Sequence, residues 1–242
     1  SGLSGTMKIG EMAEIALAIV LFSDAARVNI TDSRRDAGLP IRLLVVGLPL
    51  TIGLGTLVAH LVFPSLSWWV CAVIGAAVAP TDAALGAAII EDERVPERIR
   101  RVLNVESGLN DGIATPFVKF FLVAAVAGTA LEVESEGGAL LELAVGVAGG
   151  AAIGFVAAWL LQRARDHGWV AASFREMGVA AVAFLGYAAV IEIGGNGFVG
   201  AFVAGIAFGA ATRDELAESL EFTHDLAELA SLVVWFMFGA VM

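Results

Sequence analysis

Apolar residues come in long blocks along this 242-residue chain, separated by short polar stretches. Eight such runs stand out, at 11–26, 41–63, 67–90, 102–128, 138–162, 175–193, 197–211 and 226–242. Most are long enough to cross about 30 Å of hydrocarbon as α-helices, at about 1.5 Å of rise per residue. The seventh is short, and Gly194-Gly195-Asn196-Gly197 joins it to the sixth as a tight turn. The pattern predicts an all-α membrane protein, a polytopic helical bundle of about eight transmembrane segments.

The basic residues support the same count. Twelve of the fourteen Lys and Arg lie in alternate loops: Arg27, Arg34, Arg35 and Arg42; Arg94, Arg98, Arg100 and Arg101; Arg163, Arg165 and Arg175; and Arg213. The intervening turns at 64–66, 129–137 and 194–196 have none. Basic loops resist translocation, so the Arg-rich side is expected to be cytoplasmic, and the short loops fit a bacterial inner membrane. Composition agrees, with 58% hydrophobic and 16% charged residues and a mean hydropathy of +0.84. A formal charge of −11 argues against nucleic acid as a partner. The single Cys71 cannot form an internal disulfide. The start, SGLSGTMKIGEM, lacks the pattern of a signal peptide, and the end, SLVVWFMFGAVM, stops inside an apolar run, so a fragment of a longer chain is expected.

Two polar interruptions carry the chemistry. Pro80 lies in Ala79-Pro80-Thr81-Asp82, inside an otherwise apolar third segment. Proline removes a backbone donor and frees carbonyls, which breaks or kinks a helix. An ordinary kink with a paired acid explains this segment as well as an ion site does. The fourth segment adds a second interruption. At about 100° per residue, Asn104, Glu106, Ser107, Asn110, Asp111 and Thr115 share one half of a helix, opposite Val105, Leu109 and Ile113. Asp111 follows Val102 by nine residues and Asp82 precedes Ile90 by eight. Both are therefore about 12–14 Å from the same membrane face on oppositely directed helices. Intramembrane carboxylates are costly. Carboxylate, hydroxyl, amide and carbonyl oxygens at one depth are what a small hard cation needs. A desolvated carboxylate also holds its proton more tightly, so cation and proton compete for it.

PTDAALG at 80–86 followed by ESGLND at 106–111 resembles the monovalent cation:proton antiporter family, of the sodium/proton exchanger type. The flanking stretches ALAIVLFSDAAR and GGNGFVGAFVAGIAFG extend the likeness over nearly the whole chain. The resemblance implies that Asp111 alternately binds cation and proton, with Glu106, Ser107 and Thr81 helping to ligate the monovalent cation. It implies that Asp82 and Asn110 brace the segment broken at Pro80–Asp82. Related electrogenic antiporters have two adjacent aspartates, whereas Asn110 stands first here, which favours electroneutral exchange of one cation, Na+ before Li+ or K+, for one proton. No cofactor and no enzymatic activity are implied. The implied fold is an inverted repeat in a homodimer, with 41–128 as half of the ion-translocating core and 1–40 and 129–242 as mostly linker and dimerisation helices. The other half of the core would be missing, so this chain alone is not expected to transport.

Rival readings rest on fewer residues. Gly2-Leu3-Ser4-Gly5 has the G-x-S-G form of rhomboid-type intramembrane proteases, but a serine nucleophile needs a base and no buried histidine is in prospect. Asp82 and Asp111 suffice formally for aspartyl proteolysis, but the Tyr-Asp and Gly-x-Gly-Asp motifs of that family are missing. A purely structural subunit leaves the two polar breaks at one depth unexplained. The stripes Gly146, Gly150, Gly154 and Gly197, Ala201, Gly205, Gly209 read as helix-packing surfaces. Lys119 reads as an interfacial anchor, and His60, His167 and His224 share no metal-site spacing.

Overall fold

The computed structural model describes residues 2–27, 38–81, 89, 92, 94–127, 136–212 and 217–241. These residues are largely helical, with no strand among them. The helices are α1 (Gly2–Arg27), α2 (Gly38–Val62), α3 (Trp68–Val78), α4 (Glu97–Ala127), α5 (Glu136–Asp166), α6 (Ala172–Glu192), α7 (Gly197–Thr212) and α8 (Ala217–Val241). Each falls on one of the apolar runs, and several begin earlier because their first turns are polar. α4 starts at Glu97, where the carbonyl of Pro96 accepts from the Ile99 and Arg100 amides. α8 starts at Ala217 and takes in most of the acidic stretch before the apolar run. Spans Gly38–Val62, Glu97–Val126, Leu141–Asp166 and Ser173–Glu192 are long and apolar enough to cross a membrane, and α3 and α7 are shorter apolar helices.

Large apolar side chains face outward, as lipid-facing helices require: Leu61, Leu232, Trp235 and Phe236 are all more than two-thirds exposed. A water-soluble bundle would hide such residues.

The chain divides into two compact units, residues 1–27 with 142–242, and residues 28–141. In the first unit α7 is the central helix. Its Gly200 backs against Gly150 of α5 and Gly186 of α6, its Ala204 against Gly154, and its Gly205 and Gly209 against Phe22 and Ala26 of α1. Both glycine stripes are thus helix contacts, and the small residues let backbones approach closely. Phe22 and Phe208, both fully buried with ring centroids 5.7 Å apart, fill the centre with Val179, Val182 and Ala183. The turn between α6 and α7 uses Gly194 at φ 78° and closes with the Gly195 amide on the Val190 carbonyl. Asn196 then caps α7, its Oδ1 accepting from the amides of Phe198 and Val199. Tyr187 of α6 donates to the Glu14 carboxylate of α1 at 2.6 Å.

In the second unit α2 and α3 form an antiparallel pair joined by 63–67, and Ser67 caps α3 by accepting from the Val70 amide. The pair is close-packed at Gly75, where an added Cβ lies 2.6 Å from the Ile52 carbonyl oxygen. α2 contains one π-helical turn, Leu43–Gly47, which the apolar pattern does not reveal. Leu48, Ile52, Ala76, Ala79 and Ala114 form the core, flanked by Phe117 and Phe121 of α4. That packing brings the polar face of α4 to the end of α3.

Candidate functional site

α3 ends at Val78, and Ala79, Pro80 and Thr81 continue without helical structure. Pro80 has no amide hydrogen to give the Ala76 carbonyl, which is the local consequence of proline. Asp82 lies outside the described residues, and so does the continuation of the third segment through 88. Asn104 is in α4, with its side chain outside the described ones.

α4 supplies the other wall. Asn110 is fully buried, Ser107 is buried, and Glu106 and Asp111 are half-buried. The Asn110 amide is the hub. Its Nδ2 donates to the Thr81 hydroxyl at 2.7 Å, to the Thr81 carbonyl at 3.2 Å and, at 3.4 Å, to Glu106 Oε1. The Thr81 hydroxyl in turn donates to Glu106 Oε2 at 3.0 Å. A carbonyl and a carboxylate oxygen on one side fix which end of the amide faces them. Asn110 Oδ1 therefore points the other way, and it is buried without a hydrogen-bond partner among the described residues. A bare buried acceptor is costly, and a cation or a proton donor satisfies it.

Ser107 and Thr115 donate to their own helix, to the carbonyls of Leu103 at 2.8 Å and Asp111 at 2.7 Å. Each hydroxyl oxygen keeps lone pairs for a cation because its proton is spent on the backbone. Five residues beyond Asp111, Pro116 sits inside α4. It has no amide hydrogen for the Gly112 carbonyl, so the helix carries a gap next to Asp111. Pro116 is visible in the sequence, and proline in a polar-faced helix is the signal that marks it.

The structure thus brings Thr81, Glu106 and Asn110 into one network, with Ser107 and Asp111 on the same helix. Thr81 is bound to α4 through both its backbone and its hydroxyl oxygen, and Asn110 makes both of these bonds, while the part expected of Asp82 lies outside the described residues. Removing the hub tests this. Asn110→Ala removes the donor to the Thr81 carbonyl and to Glu106 Oε1 and is expected to destabilise the full-length protein by about 1–3 kcal/mol. Ser107→Ala, which removes only a bond within one helix, is expected to cost less. Thermal unfolding of both variants in detergent checks the order, and an equal or reversed order refutes the hub.

The family model for the transmembrane sodium/hydrogen exchanger matches residues 1–242, and the chain belongs to that family. Among relatives, the K(+)/H(+) antiporter NhaP2 of Shewanella sp. (strain ANA-3) is 26% identical over 198 residues, covering 82% of this chain and 34% of that protein. An Escherichia coli (strain K12) protein described as the uncharacterized Na(+)/H(+) exchanger YjcE is 31% identical over 148 residues, 60% of this chain and 26% of its own. The structure of the sodium proton antiporter MjNhaP1 from Methanocaldococcus jannaschii at pH 8 superposes with a TM-score of 0.73 at 18% identity, over 96% of this chain and 56% of that one. That likeness shows a shared fold. The chain spans about a third of the length of the first of these relatives.

Proposed function

We propose that this chain is part of a secondary active transporter that exchanges a monovalent cation for a proton at a mid-membrane carboxylate. The observation that carries the reading is the network joining Thr81 to Asn110 and Glu106 beside Asp111. It gathers hydroxyl and carboxylate oxygens against the helix that also carries Asp111, and a desolvated carboxylate is a group for which proton and cation compete. Asp111 exchanges the two; Glu106, Ser107 and Thr81 ligate the cation; Asn110 and Asp82 hold the segment broken at Pro80.

Around this site the eight helical segments cross the membrane with the arginine-rich loops in the cytoplasm of a bacterial cell. Residues 41–128 form half of an inverted-repeat core, and the remaining helices link and dimerise it. The relatives are named for both potassium and sodium. Sodium is the cation favoured by the family resemblance, with Li+ and K+ as the alternatives. One exchanging carboxylate, with Asn110 in place of a second aspartate, fits one proton for one cation.

The test uses the full-length transporter in proteoliposomes with an imposed pH gradient and Na+, Li+ or K+ outside. Cation-dependent proton movement is expected, with a rate unchanged when a membrane potential is imposed. Absence of any cation dependence refutes antiport. A rate that follows the potential refutes the electroneutral cycle.

A further inference from the structure

We propose that Cys71 and His60 form a two-coordinate site for a soft monovalent cation of the copper(I) or silver(I) class, independent of the ion-exchange reading. The two side chains face each other across the α2–α3 hairpin, with Cys71 Sγ 4.0 Å from His60 Nδ1. They lie 11 residues apart in the chain, and close packing of the hairpin sets their meeting. Gly75 of α3 presses on α2 so tightly that an added Cβ lies 2.6 Å from the Thr56 amide nitrogen. Thr56 is one helical turn before His60 and Gly75 one turn after Cys71, so this register sets His60 opposite Cys71. Trp68 stacks on the imidazole face, with centroids 3.9 Å apart and planes at 26°. The ring edge is thereby left to the thiol.

The distance bears on the coordination. Bonds of about 2.3 Å to thiolate and about 2.0 Å to imidazole put the donor atoms about 4.3 Å apart in a straight unit and about 3.5 Å apart at a tetrahedral angle. The observed 4.0 Å is opened beyond the tetrahedral value. A tetrahedral metal also needs further donors, and no group of three or more His, Cys, Asp or Glu that could hold a metal ion occurs among the described residues. Two donors suffice for copper(I) or silver(I), which bond readily to one thiolate and one imidazole.

Softness and charge select the same ions. A thiolate prefers soft metals to hard cations such as Na+ and K+. Cys71 is fully buried, with Ala72 and Ala76 buried on the same helix, while His60 is half-buried near the hairpin end and offers the way in. Binding breaks the S–H bond and forms an S–metal bond, the proton leaving to solvent, and the neutral imidazole donates its Nδ1 lone pair. No electron is transferred. A monovalent ion therefore leaves a neutral S–metal–N unit, whereas a divalent ion leaves a net charge where burial penalises it.

The experiment titrates Ag+ in chloride-free buffer into the purified full-length protein in detergent and counts bound silver by elemental mass spectrometry. Wild type is expected to bind one more Ag+ per chain than Cys71→Ala, with one more proton released. His60→Phe keeps a ring against Trp68 but removes Nδ1, and is expected to weaken this site by about tenfold or more. The difference in silver-edge X-ray absorption between loaded wild type and loaded Cys71→Ala is expected to show one sulfur and one nitrogen neighbour. A large excess of Na+ or K+ is expected to leave the silver in place.

Thermal unfolding without metal monitors the fold of each variant, and if Cys71→Ala is unstable the His60→Phe affinity decides. Equal silver uptake by wild type and Cys71→Ala overturns the proposal. So does undiminished affinity in His60→Phe, because it shows a lone thiol rather than a chelate. Displacement of the silver by Na+ or K+ also overturns it, because it shows a site that does not select soft ions.

Discussion

Asp111→Asn in the full-length transporter is expected to reduce pH-gradient-driven cation uptake by about 100-fold or more, the scale on which loss of a key ligand acts. The substitution keeps the size and one oxygen of the side chain but removes the group that titrates. An amide cannot carry a proton one way and exchange it for a cation, so the cycle stops even if a cation still binds weakly. Glu106 is the nearest alternative acid on the described face of α4, but it is not an equivalent substitute. Its two oxygens already take hydrogen bonds from Thr81 and Asn110, so its carboxylate is held in the bracing network. Isosteric replacement is expected to leave the melting temperature close to wild type. Uptake by proteoliposomes, read with a pH-sensitive dye, checks the claim. Uptake within twofold of wild type assigns the exchanging carboxylate elsewhere.

The second large effect is structural. Gly154→Val is expected to destabilise the protein by about 3 kcal/mol or more, or to prevent its accumulation in the membrane. A Cβ at Gly154 meets the backbone carbonyl of Ala204 well inside van der Waals contact. That backbone cannot retreat easily, because the opposite side of α7 is pressed on α1 at Gly205 and Gly209. Rotamer changes do not relieve a clash with main chain, so the helices must separate. In lipid, close packing is itself the main attraction between helices. Gly53→Ala in α2 is the control, since nothing lies within 4 Å of a Cβ there. It is expected to be neutral or to stabilise slightly, since alanine favours a helix over glycine. Unfolding of both variants in detergent compares them, and an undiminished stability of Gly154→Val refutes the close α5–α7 contact.

Much of this architecture is legible in the order of residues alone. The apolar runs locate each described helix because length and hydropathy are local properties, and the polar turns bound them. The glycine stripes mark packing faces, because only small residues every four positions make a smooth ridge on a helix. The polar half of α4 is equally plain, since 100° per residue sets which side chains share a face. Helix starts are less so. The polar first turns of α4 and α8 carry no hydropathy signal, and no residue type marks the π-helical turn at Leu43–Gly47.

Local chemistry along the chain is therefore enough to define the class of protein, its described helices and the polar face of α4. Three-dimensional packing alone settles that Asn110 grips Thr81 by both hydroxyl and carbonyl, that Glu106 completes this grip, and that Asn110 Oδ1 is left buried without a described partner. It also makes α7 the helix on which α1, α5 and α6 converge. The reason is the range of the forces involved. Periodicity and burial preference act within a turn or two of chain, whereas Thr81 and Asn110 meet across 29 residues through the packing of α3 on α4.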